Sequence, residues 1–154
     1  MKVNRTRSIT KKAMKRAGNT SNRPEQQLAF DIISRHLQGI DIIEKEYRID
    51  FNNQNWTKID IYIKISNQKY ALYLNGPPHD ELKAKRHDRM VFLYLEERDY
   101  IPIPLSYNNM PYLFLRNKRE LDWIETKMAY KELHRELKPF GLILKKLKNN
   151  HHAS

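Results

Sequence analysis

The sequence predicts an α/β domain in which a helix, three strands, a second helix and a fourth strand succeed one another, giving a mixed sheet flanked by helices. Three stretches carry that expectation. Leu28, Ala29, Ile32, Ile33 and His36 recur at helical spacing and form one apolar arc. The segment 57–65, TKIDIYIKI, alternates isoleucine with Lys58, Asp60, Tyr62 and Lys64, the period of a strand. The segment 69–88, KYALYLNGPPHDELKAKRHD, reads as a buried strand, a Gly-Pro-Pro corner, His79 and a basic helix.

In chain order, residues 1–23 hold eight lysines and arginines and no acid, and their apolar residues are too sparse to bury, so a disordered arm or one ordered by a partner is expected. Pro24 suits a first helical turn, and the helix should run to about residue 37. Glu25 shares its inward arc; it serves either the helix dipole or a site at the sheet edge. A strand over 42–49 and an Asn-rich turn over 51–56 lead to the isoleucine strand. There Ile59, Ile61, Ile63 and Ile65 should form one face and Asp60 the other, toward water or toward a site beneath a helix. Aspartate is a poor strand former, so its mid-strand place needs a reason.

In the next strand, Ala71, Tyr73 and Asn75 should lie on one face, with Tyr70, Leu72 and Leu74 on the other. A helix over 80–98 places Ala84, Asp88, Val91 and Leu95 on a single stripe, where Asp88 needs a partner: a neighbouring arginine, His79 or a metal. The strand 100–105 alternates Pro102 and Pro104, which suits an edge. A long helix is expected over 117–138. Leu121, Ile124 and Met128 lie on one side of it, and Trp123, Tyr130, Leu133 and Leu137 on the other. Its second face would meet a protein partner, a second copy, or the 141–147 tail folding back. The domain organisation expected is a basic arm (1–23), a core (24–115) and a C-terminal helical extension (116–154).

The net charge of +11 resides at the two ends, since residues 24–115 carry eleven basic and thirteen acidic side chains. Basic ends on a near-neutral body suit a polyanion, with nucleic acid the leading candidate. No apolar run is long enough to span a bilayer, so the expected setting is cytoplasmic or nucleoid-associated, with no membrane partner. The chain has no cysteine. Any metal must therefore be held by carboxylates, histidines or carbonyls, a donor set that favours magnesium or its relatives.

The order of elements, with Glu25 in the first helix, Asp60 in the second strand and a strand, Gly turn, His and Asp-bearing helix after it, resembles the PD-(D/E)XK nucleases. Within that superfamily it is similar to the very short patch repair endonucleases and the small EDxHD endonucleases. The matching residues are Tyr73-Leu74-Asn75-Gly76, Pro77-Pro78, His79, Asp88, Leu95 and Tyr100, and the likeness spans about 24–105. Tyr73 and Asn75 stand where metal-dependent relatives carry a carboxylate and an Asp or Lys; Glu25, Asp60, His79 and Asp88 match the EDxHD set.

The resemblance implies a restriction-endonuclease-like core and an endonuclease acting on nucleic acid, DNA ahead of RNA, with one Mg²⁺ or Mn²⁺. Asp60 and Glu25 would hold the metal beside a carbonyl near Leu74, and His79, oriented by Asp88, would be the general base. Lys83, Lys85, Arg86 and Arg89 would grip phosphates, as would Arg5, Arg7, Lys11, Lys12, Lys15 and Arg16 of the arm. The altered Tyr73 and Asn75 leave a second expectation open: a catalytically silent nuclease-like domain that binds nucleic acid or builds a nucleoprotein complex.

Overall fold

The computed structural model describes residues 23–52, 55–75 and 81–147, with the backbone alone at 52, 55 and 81–88. Helix α1 (Pro24–His36) is followed by strands β1 (Ile42–Asn52), β2 (Asn55–Ile65) and β3 (Gln68–Asn75), then helix α2 (Glu81–Glu97) and strand β4 (Tyr100–Ser106). The strands form one sheet in the order β1-β2-β3-β4. β1, β2 and β3 are antiparallel hairpin neighbours, whereas β3 and β4 run parallel. A parallel pair needs a crossover, and α2 supplies it. The expected α/β architecture, a mixed sheet flanked by helices, is what the chain forms.

Two strand expectations change. The stretch 51–56 is mostly strand, with Asn52 paired to Asn55 across the hairpin. Burial explains Phe51, which belongs to the apolar cluster on the α2 side, while the half-exposed Trp56 ring is covered by the Arg48 guanidinium at 4.3 Å. The second change is in β2, whose isoleucines do not share one face. Ile61 and Ile63 pack into the cluster built with α1, while Ile59 packs with Ile49, Tyr62 and Leu95 on the α2 side. The partner strand changes side at the same level, since Lys45 lies over Phe30 of α1 whereas Tyr47 stacks on Tyr62. Between them Glu46 takes a φ of 52°, a left-handed conformation that shifts the pleat by one residue. Asp60 sits at this change of phase.

β3 alternates as expected, with Tyr70, Leu72 and Leu74 in the α1 cluster and Ala71 and Tyr73 toward α2. β4 is an edge strand in which Pro102 and Pro104 fall in register with Ala71 and Tyr73. Their missing donors then lie on the open side, where no ladder bond is lost.

After β4 the chain makes a 3₁₀ turn (Tyr107–Asn109), a short helix α3 (Pro111–Leu115) and helix α4 (Trp123–Leu137). The long helix expected from 117 therefore starts six residues late. Asp122 stops it from extending backward: its carboxylate accepts from the Glu125 N–H at 2.8 Å, and Glu125 accepts from the Asp122 N–H at 3.0 Å. This reciprocal cap fixes the N-terminus at Trp123. Ala129, Tyr130, Leu133 and Leu137 enter the same core cluster as α1 and the sheet. Gly141, at φ 82°, turns the tail back so that Leu142 and Leu144 are buried, Leu144 bridges to Leu37, and Tyr130 Oη donates to the Lys145 carbonyl. Ile124 is left 73% exposed. No helix among the described residues is long and apolar enough to cross a membrane.

Candidate active site at the end of the third strand

The antiparallel ladder between β2 and β3 ends at the pair Ile61↔Leu72. Beyond it the Asp60 side chain replaces the backbone as acceptor: its Oδ2 takes the Leu74 N–H at 2.7 Å. The Gln26 amide of α1 donates to the Asp60 carbonyl at 2.9 Å and ties helix to strand. Asp60 is thus fixed, 8% exposed, with Oδ1 turned toward the start of α1, where Arg23 meets it. This is the physical reason for an aspartate in mid-strand.

Glu25 arrives from the first turn of α1, where its charge faces the positive end of the helix dipole. It is 5% exposed, and its Oε2 accepts from Tyr107 Oη at 2.9 Å. Glu25 and Asp60 are joined by a residue that charge pattern alone assigns to the basic arm. Arg23 donates through Nη1 to Asp60 Oδ1 at 3.0 Å, through Nε to Glu25 Oε2 at 3.4 Å, and through Nη2 to the Leu74 carbonyl at 3.3 Å and Tyr107 Oη at 3.2 Å. Glu25 Oε1 and Gln26 Oε1 are buried with no hydrogen-bond partner among the described residues.

The electrostatics follow from one guanidinium facing two carboxyl groups. Burial works against the Arg23 charge, but Asp60, Tyr107 and Glu25 outweigh it and hold Arg23 more basic than usual. Burial pushes the Asp60 carboxyl up, and the Arg23 charge and the Leu74 N–H only partly restore it. Burial and the neighbouring Glu25 raise the Tyr107 phenol against the pull of Arg23, so it stays protonated and donates to Glu25.

Of the residues expected at the site, Glu25 and Asp60 are brought together beside the Leu74 carbonyl. His79 lies outside the described residues, as do Arg5, Arg7, Lys11, Lys12, Lys15 and Arg16. Asp88, Lys83, Lys85 and Arg86 lie on α2 where the backbone alone is described, and Arg89 is exposed. Tyr73 turns to the α2 side, with its hydroxyl 3.1 Å from Thr57 Oγ1 and its ring 5.7 Å from Phe92, so it does not stand in for a ligand. No group of three His, Cys, Asp or Glu side chains gathers into a metal site among the described residues. A cation here would rest on two carboxylates and a carbonyl.

The sequence reading missed Arg23, Gln26 and Tyr107. Arg23 looked like the last cation of a basic run, although its place directly before Pro24 ties it to the start of α1. Gln26 lies beside Glu25 on the buried side of that helix, and Tyr107 follows β4 in a loop that showed no periodicity. No protein-family model matches the chain, and no curated protein and no solved structure matches it either.

Proposed function

We propose that this chain is a nucleic-acid endonuclease, acting on DNA ahead of RNA, whose phosphodiester-cleaving site is the end of β3. The observation that supports it is the convergence of Asp60 Oδ1, Glu25 and the Leu74 carbonyl, from three separate segments, on the Arg23 guanidinium. The donor set is all oxygen and includes a buried carboxylate atom, Glu25 Oε1, with no partner among the described residues, which suits a hard divalent ion. Mg²⁺ or Mn²⁺ bound there would supply positive charge beside the scissile phosphate. Asp60, anchored by the Leu74 N–H, and Glu25, anchored by Tyr107, hold their carboxylates without reorganisation. By the resemblance, His79 with Asp88 takes the proton of the attacking water. Lys83, Lys85, Arg86, Arg89 and the arm residues hold flanking phosphates.

Arg23 favours a second reading, a catalytically silent nuclease-like domain that binds nucleic acid or builds a larger complex, because its ion pairs already neutralise much of the carboxylate charge. Nicking of supercoiled DNA separates the two. The enzyme reading expects nicking with Mg²⁺ or Mn²⁺ that Asp60→Ala abolishes while DNA binding persists. Intact binding with no nicking in any divalent metal establishes the silent domain.

A further inference from the structure

We infer that Arg23 is a tethered stand-in for the divalent cation, so that the ion enters this site by exchange with the guanidinium rather than beside it. The inference rests on the reading of the cluster as a cation site. The Arg23 nitrogens lie 3.0 Å from Asp60 Oδ1, 3.3 Å from the Leu74 carbonyl and 3.4 Å from Glu25 Oε2. Those are the same donors a metal would need at about 2.1 Å, so ion and guanidinium compete for one space.

The fit of the guanidinium is incomplete. Its flat fork serves one oxygen of each carboxylate and leaves Glu25 Oε1 buried and without a partner among the described residues, an atom a bare cation can draw on. Exposure decides which partner leaves: the Arg23 side chain is 32% exposed, against 6% for Glu25 and 12% for Asp60. The carboxylates are held by the Tyr107 hydroxyl and the Leu74 N–H, whereas Arg23 has a route to solvent.

Charge gives the exchange a consequence. With Arg23 in place, two carboxylates and one guanidinium leave a negative excess that repels a phosphodiester. With a dication on the carboxylates and the guanidinium released alongside, the same groups present a positive excess. Metal entry would then raise affinity for the polyanion, and Arg23 would pass from a carboxylate partner to a phosphate partner.

Titration calorimetry of Mn²⁺ into the full chain tests this with three proteins: wild type, Arg23→Gln and Arg23→Lys. Removing the competitor should tighten Mn²⁺ binding about tenfold or more in Arg23→Gln, the equivalent of one or two charge-assisted hydrogen bonds. Arg23→Lys keeps a charge but loses the fork, so its affinity should fall between the two. Thermal melting verifies folding, and should Arg23→Gln fail to fold, the lysine variant carries the test. Equal or weaker Mn²⁺ binding in the folded variants overturns the exchange and leaves the cation site standing. Absence of Mn²⁺ binding in all the folded proteins removes the site itself, and the endonuclease proposal with it.

Discussion

Replacing Asp60 with alanine measures how far this carboxylate serves the sheet apart from any chemistry. The Leu74 N–H, held by Asp60 Oδ2 at 2.7 Å in a buried strand, would lose its acceptor, which costs about 1–3 kcal/mol. The ion pair with Arg23 adds only about 0.5 kcal/mol, because the arginine side chain is a third exposed and screened by water. Against these, burial raises the Asp60 pKa, so the ionised form is held at a cost that alanine removes. The net expectation is a loss of about 2 kcal/mol. In urea unfolding, with a slope of about 1–3 kcal/mol per molar, the midpoint should fall by about 1 M at unchanged slope. Asp60→Asn keeps an acceptor for Leu74 and should lose less than half as much. Alanine as stable as wild type, or asparagine as damaging as alanine, would refute the sheet-closing role.

Three further outcomes follow from other parts of the fold. Leu133→Ala in α4 opens a cavity in the cluster shared with α1 and the sheet, and should cost about 2–5 kcal/mol in the same assay, with a single transition. The Arg119 guanidinium and the Asp122 N–H hold the Glu125 carboxyl at about 2, below its usual 4.5. Because the folded value is the lower one, this contribution is complete above pH 4.5 and is lost as pH falls toward 2; Glu125→Gln should flatten the stability profile over that window alone. Deleting residues 1–22, with Arg23 kept, should reduce the slope of log affinity against log salt for DNA, and an unchanged slope means the arm does not touch phosphates.

The architecture was legible because it rests on local patterns: the alternation in β3, the prolines of an edge strand and the helical arc of α1 each state their element directly. The meeting of Glu25 and Asp60 was legible only through resemblance, since they lie 35 positions apart. The shift of phase in β2 was hidden by its own sequence. Isoleucine at 59, 61 and 63 reads as one face, whereas the left-handed Glu46 on the neighbouring strand sends Ile59 to the opposite core. The start of α4 is written as Asp122-x-x-Glu125, a signal masked by the charged, helix-compatible stretch before it. Arg23 could not be distinguished from the arm by type, because its role is set by carboxylates distant in sequence.

The most direct measurement is a crystal of the full chain grown with Mn²⁺ and recorded at an anomalous wavelength. An anomalous peak bounded by Asp60 Oδ1, Glu25 and the Leu74 carbonyl, with the Arg23 side chain turned away from them, is the result expected. Density for Arg23 still bridging both carboxylates, with manganese elsewhere or nowhere, would contradict the account.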